Sequence, residues 1–377
     1  MGRIVSITGL RDLPVALEGS DILCLVRKPE KWLVEPSKTV FGEHDHNYMQ
    51  VSAAFRMGRR VESVPTYVAV LNDALVSPSG VVFTRKGDLL YESLAPWQLE
   101  NYLQQFSSSV ATDEQGAPSP RANESEIEER EIAIHLREGG ETGYFHFINS
   151  VLPKVALSSY VHAQNKVEYL VNGRQPFARD FLGKLDILPS EGIRTWLRCR
   201  TLFYLSPFTF QGDHFTRPRF GSELLKTMLE PTISAARTEK RRRVYLSRGD
   251  AGVRRLTNEE DVIALLTKYG FETLAIGSMP ISEQVAIFAD TTHLVSAHGA
   301  GLSNMIFMPE NSVVTELVSP ARLWPTFRML AARHGPQYHA IIGDSFERDQ
   351  TEARGEGNED FSCDMNIVKM SLNSVYL

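Results

Sequence analysis

A chain of 377 residues is long for a single hydrophobic core, so two domains are expected. Its apolar content of 42% and charged content of 23% are those of a soluble globular protein, and no run of about 18 apolar residues marks a membrane span. The net charge of −6 gives no electrostatic reason to expect nucleic acid as a partner.

Cys24, Cys199 and Cys363 are far apart and odd in number, which fits a reducing compartment and no disulfide framework. Met1 to Leu10 lacks the apolar core of a signal peptide, so a cytoplasmic enzyme is expected, associated with membranes only through partners. Residues 1–106 read as short β runs, such as Tyr67–Leu71, Ala74–Val76, Gly80–Thr84 and Asp88–Tyr91. Asn72-Asp73, Pro78–Gly80 and Lys86–Asp88 punctuate them as turns of a hairpin meander. Glu43, His44, Asp45 and His46 have the composition of a metal site, but charged residues between turns ordinarily face water. Residues 107–126 are rich in Ser, Ala, Pro and Glu and read as a mobile loop. The triplet Asn123 to Ser125 is a glycosylation acceptor by pattern and is expected to be a chance match without a secretory signal.

Order resumes at Glu129–Leu136, a strand, and residues 127–236 continue as alternating strands and helices. From Gly139 the chain enters a helix that Thr142 can cap, with Phe145, Ile148, Val151 and Leu152 on its apolar face and Pro153 as a kink. His146 lies in its first turns behind a glycine-rich entrance, either packed under the loop or serving as a general base. Asp213 and His214 follow on a Gly- and Pro-containing loop. The basic run Arg237–Arg243 is where the domains are expected to divide, giving 1–236 and 237–377.

After that run the strand Val244–Arg248 ends in Ser247 and Arg248. Thr257 to Glu260 reads as a capping box opening a helix that Gly270 closes, and Ser282 as the cap of the next. Thr292–Ala297 is a strand buried on both faces, and it empties through His298, Gly299, Ala300 and Gly301 into a short helix from Leu302 that Pro309 stops. Unpaired amides at such a helix start bind anions, phosphate above all. A further strand, Ser312–Leu317, carries Glu316. Strands alternating with helices at this spacing predict a parallel sheet.

A Walker-type loop fails here because Gly301 is followed by Leu302, Ser303 and Asn304 rather than Gly-Lys-Ser/Thr. A dinucleotide fold wants Gly-x-Gly-x-x-Gly with an acid about 20 residues on; Gly299, Gly301 and Glu316 imitate it, but Asn304 replaces the third glycine. A nucleotide-sugar site is the third reading. Tyr245–Arg248, Asn258-Glu259, the Gln284 helix, His298–Asn304 and Val314–Leu317 together resemble glycosyltransferase family 61, as do Gly143–His146 with Leu152-Pro153 and the Val70–Val76 region.

The resemblance implies an α/β protein of GT-B architecture. Two Rossmann-like domains face a cleft, the N-terminal one with the hairpin meander added and the last helix packing back on it. It implies inverting transfer from a nucleotide sugar, a UDP-sugar first among donors, to a glycan or lipid-linked glycan acceptor in bacterial surface-polysaccharide synthesis. Arg248 and the amides near Gly301 and Leu302 are expected at the diphosphate. Ser247, Gly299 and Ala300 are expected to line the donor pocket, with His298 at a phosphate oxygen or the sugar, Asn304 at the diphosphate and Glu316 at the ribose diol, and Arg248 and His298 are counted with His146 as catalytic. Fixed cations and dipoles of this kind can replace a metal, so no obligatory divalent cation is expected. His146 is the expected base, with Asp45, His46, Asp213 and His214 as alternatives. A dinucleotide-dependent oxidoreductase and a catalytically silent nucleotide-sugar-binding protein are the competing readings.

Overall fold

The computed structural model describes residues 2–7, 23–42, 48–94, 102–162, 166–189, 194–208, 218–238, 240–249, 251–345 and 358–376. The chain forms two compact units, one of Met1–Lys31 with Glu62–Thr227 and one of Trp32–Val61 with Met228–Leu377. The sequence boundary at 236 and 237 therefore misses an excursion: residues 32–61 pack with the C-terminal unit.

The first unit is built on a mixed sheet. Three strands, Ile127–His135, Glu168–Leu170 and Trp196–Leu205, run parallel, and the long strand Thr66–Val76 pairs antiparallel with Trp196–Leu205. Thr66–Val76 also leads to Val82–Phe83 and Leu89–Leu90, the expected meander. Asn72-Asp73 is not a turn, however. Asp73 takes a positive φ of 52° inside the continuous strand, an Asp tolerating there what most residues do not. Residues 107–126 also depart from a mobile loop, because Val110–Thr112 and Pro118–Pro120 form an antiparallel hairpin around Gly116. Asp113 ties that turn by accepting from the amides of Gln115 and Ala117.

The second unit carries an all-parallel, six-stranded sheet: β1 (Thr39–Phe41), β2 (Arg242–Leu246), β3 (Glu272–Leu274), β4 (Thr291–Ala297), β5 (Val313–Val318) and β6 (Gln337–Ile342). Their spatial order is β3-β2-β4-β5-β6-β1. β4, β5 and β6 are buried along most of their length, which is why β4 and β5 read as apolar runs rather than as alternating ones. The helix Glu259–Lys268 and the last helix, Met365–Tyr376, cover the sheet. Val262, Leu266, Val368 and Leu372 join Tyr245, Val295, Leu317 and Ile341 in one core. The last helix packs on its own unit's sheet.

The caps differ from expectation too. The helix Glu259–Lys268 starts after Asn258, whose side chain bonds both the amide and the carbonyl of Cys363, and Thr257 bonds Phe361 O. Pro280 rather than Ser282 precedes the helix Ile281–Ala289, and Gly143 rather than Thr142 precedes the turn Tyr144–His146. Beyond that turn the backbone widens to π geometry over Phe147–Val151, and Pro153 enters at the start of the segment Leu152–Leu157, where a missing N–H costs little. Among the described residues no helix is long and apolar enough to cross a membrane.

Candidate active site

In the second unit the chain leaves β2 to make β3 on one side, then returns across β2 to make β4 on the other. The β2/β4 boundary is the switch point of the sheet, and ligands of open α/β sheets lie beyond the carboxyl ends of the strands there. Arg248 follows the end of β2, and His298 and Gly299 follow the end of β4.

The two loops meet at a close approach. A Cβ on Gly299 would stand 1.8 Å from Arg248 Nη1 and 2.8 Å from its Cζ, so the guanidinium lies where any other side chain would begin. Gly299 itself is extended, with φ −175° and ψ 162°. The glycine provides room, not an unusual dihedral. Arg248 is held from its own backbone: its amide donates to Glu259 Oε1 at 3.0 Å, and Tyr245 Oη donates to the same oxygen at 2.8 Å. Nη2 donates to Val253 O at 3.3 Å. Burial and Glu259 keep the Tyr245 phenol well above its ordinary pKa, so it remains a donor. Ser247 Oγ accepts from the amide of Gly249 at 3.1 Å and shapes the same turn.

The helix Ala300–Phe307 is a 3₁₀ helix. Its first turn closes with Leu302 N–H donating to Gly299 O at 3.0 Å, so the Leu302 amide expected at the diphosphate is already used. The amides of Ala300 and Gly301 precede that bond and belong to the helix start, where N–H groups have no intrahelical partner. Gly301 is tight for another reason, since a Cβ there would stand 3.3 Å from both Leu246 Cδ1 and Ile276 Cδ1.

Two residues expected to touch the donor do not reach it. Asn304 has no exposed surface, and its Nδ2 donates to Gln284 Oε1 at 3.1 Å. Gln284 Nε2 in turn donates to Met279 O at 2.9 Å and Ile276 O at 3.3 Å, so Asn304 braces the loop after β3. Glu316 is also without exposed surface. Its Oε1 accepts from His298 Nδ1 at 2.5 Å and its Oε2 from Tyr338 Oη at 2.5 Å, and with no exposed surface the carboxylate does not present itself to a ribose diol. His298 keeps 6% of its surface exposed and meets the Phe327 ring edge-on at 5.0 Å. Tyr338 stacks on Phe55 of the excursion, centroids 6.4 Å apart. Glu259, Gln284 and Tyr338 are the residues that sequence reasoning missed in their roles. Tyr338 carries no local signal, because only strand pairing brings it beside Glu316.

His146 belongs to the first unit. Its ring lies against Gly140, where a Cβ would stand 2.8 Å from Cδ2 and 3.1 Å from Nε2, and Gly140 has φ +76°. Nearby, at the carboxyl end of Ile127–His135, lies a buried ionic group that the sequence did not announce. Lys154 Nζ donates to Arg137 O at 2.9 Å and pairs with Glu138 Oε1 at 3.4 Å, and Arg137 Nε pairs with Glu141 Oε1 at 2.6 Å. Burial pulls the Lys154 pKa down against the opposing pull of Glu138. Asp45, His46, Asp213 and His214 lie outside the described residues. Among the described residues no three His, Cys, Asp or Glu side chains are grouped to hold a metal ion.

The family model for glycosyltransferase 61 matches residues 144–315, taking in His146, Arg248 and the His298–Asn304 turn and stopping one residue short of Glu316. Similar curated proteins include the rice (Oryza sativa subsp. japonica) beta-1,2-xylosyltransferase XAX1, 39% identical over 69 residues that make up 18% of this chain and 12% of that protein. The Arabidopsis thaliana beta-1,2-xylosyltransferase is 30% identical over 100 residues, 23% of this chain and 19% of its own. The Drosophila melanogaster EGF domain-specific O-linked N-acetylglucosamine transferase is 34% identical over 82 residues, 21% of this chain and 16% of its own. The matches thus span less than a fifth of each relative. Residues 144–315, somewhat less than half of this chain, are thus what matches the glycosyltransferase 61 family.

Proposed function

We propose that this protein is a glycosyltransferase that moves a sugar from a nucleotide-sugar donor to a hydroxyl acceptor by a single inverting displacement. The observation that carries the reading is the Arg248 guanidinium lying on Gly299 at the switch point, beside the first amides of the helix Ala300–Phe307. A departing diphosphate needs its negative charge met as it develops. One guanidinium and two helix-start amides are fixed donors suited to that, with no divalent ion obligatory. Two α/β units of this kind also suit a GT-B architecture with the donor held by the second. UDP-sugars remain the first donors to try, with a glycan or lipid-linked glycan as acceptor. The relatives named above are eukaryotic, so a role in bacterial surface-polysaccharide synthesis rests on the sequence reading.

The oxidoreductase alternative required Glu316 at a ribose, and both of its oxygens are engaged inside the sheet. Calorimetry with UDP tests the proposal. The wild-type chain is expected to bind, and Arg248→Ala to lose about 100-fold or more in affinity with its melting temperature kept, since a charge-assisted pair to phosphate is removed. Binding of NAD instead of UDP, or equal UDP affinity in the variant, contradicts it.

A further inference from the structure

The geometry points to His298, backed by Glu316 and Tyr338, as the group that receives the acceptor's proton, a role that sequence reasoning gave to His146. The inference rests on the glycosyltransferase reading above. A histidine is set up to take a proton when one ring nitrogen donates to a carboxylate, because that bond fixes the tautomer and stabilises the imidazolium that forms. His298 Nδ1 meets Glu316 Oε1 at 2.5 Å, so Nδ1 carries the hydrogen and Nε2 the lone pair.

Glu316 is itself held. Its other oxygen accepts from Tyr338 Oη at 2.5 Å, and burial together with Glu316 keeps that phenol protonated well above its ordinary pKa. Three adjacent parallel strands supply the three groups. His298 follows β4, Glu316 lies in β5 opposite Ser296, and Tyr338 lies in β6 opposite Val314. Among the described residues, Arg328 acts on Tyr338 through its charge, and Arg248 lies against Gly299, next to His298. His146 offers less: its Cδ2 and Nε2 edge is pressed against Gly140.

In the step this implies, the acceptor oxygen forms its bond to the anomeric carbon as its O–H bond breaks, and the proton goes to His298 Nε2. The bond from that carbon to the phosphate oxygen breaks, and its electron pair leaves with the nucleoside diphosphate. Glu316 and Tyr338 are positioning residues and touch neither substrate.

The test compares Glu316→Gln, Glu316→Asp, Tyr338→Phe and His146→Gln for UDP affinity, donor KM, kcat and the pH profile of kcat. It is joined by ¹⁵N NMR of the histidines in the wild-type chain. Glu316→Gln is expected to bind UDP within about threefold of wild type and to lose about 100-fold in kcat, the size of a general-base contribution. Glu316→Asp should restore part of that loss and the acid limb of the profile. Tyr338→Phe should lose about 3- to 10-fold in kcat at unchanged KM, and His146→Gln should stay within about threefold. NMR should report His298 as the Nδ1–H tautomer. The proposal is overturned by a Glu316→Gln enzyme with wild-type kcat, by a loss of UDP affinity equal to the loss of kcat, by a greater loss in His146→Gln, or by an Nε2–H tautomer at His298. Absence of turnover with every nucleotide sugar would instead remove the glycosyltransferase reading, and the tautomer would then decide the positioning alone. Should Glu316→Gln fail to fold, the wild-type tautomer and Tyr338→Phe still decide.

Discussion

Gly299 is the residue on which the proposed donor site turns, and the sequence pointed to it for a different reason. Two glycines after a buried strand read as a tight phosphate turn, whereas the structure uses the missing Cβ of Gly299 to let a guanidinium lie on the backbone. Gly299→Ala is therefore expected to leave folding nearly intact, costing less than about 1 kcal/mol, because the atom met is the far end of a flexible side chain. Displacing that end should still weaken UDP binding about tenfold, or about 1.4 kcal/mol. Thermal melting and calorimetry on one preparation separate the two effects, and an unchanged affinity would detach Arg248 from the ligand. Asn304 and Glu316 were legible as important but not in their roles. A polar residue in or after a buried strand looks alike whether it faces a ligand or a neighbouring strand, and the burial of Asn304 and Glu316 is what distinguishes them.

At the scale of elements, residues 32–61 are what the sequence concealed. They are far in sequence from the sheet they complete, and besides the pairing of β1 with β6 they are tied by one buried side chain. Arg328, 3% exposed, donates from Nη1 to Ala54 O at 2.7 Å, from Nη2 to Glu35 O at 2.8 Å and Met57 O at 2.6 Å, and from Nε to Glu35 O at 3.0 Å. Arg328→Ala leaves these carbonyls unmet, and a loss of about 1–3 kcal/mol is expected, chiefly from the buried Ala54 O, the Glu35 and Met57 carbonyls being part-buried. Denaturant unfolding checks it, and a change under about 1 kcal/mol would show the excursion to be held elsewhere. The edge strand β1 adds a pH signature. His339 Nδ1 pairs with Thr39 Oγ1 at 2.8 Å, and burial, with Lys38 adding to it, pushes its pKa down to about 4. His293 is pushed down to about 4 as well, by burial and by Arg243 and Arg241. Both folded values lie below the unfolded one, so this stability is complete above about pH 6.5 and lost as the pH falls towards 4, up to about 3 kcal/mol for buried His339 and less for half-buried His293, where solvent screens the charge. Melting temperature should drop across that window and drop less in His339→Gln. A flat profile there would contradict the neutral, buried histidine.

Over the whole molecule, the parallel strands β2, β4 and β5 were legible because their apolar runs need no partner to be recognised, whereas β6, with Gln337 and His339 in its run, was not. The Gly-rich turn and Arg248 were legible for the same reason, since each directly follows such a strand. The order of the sheet was not legible. Only pairing shows that β3 lies outside β2 and that β1 arrives from another part of the chain, and that order makes the β2/β4 boundary a binding place. The most direct measurement offers the purified chain a panel of nucleotide sugars with glycan acceptors and follows the product by NMR. The account predicts release of a nucleoside diphosphate and a product whose anomeric configuration is opposite to the donor's. A retained configuration, or no turnover in a chain that binds NAD and not UDP, would contradict it.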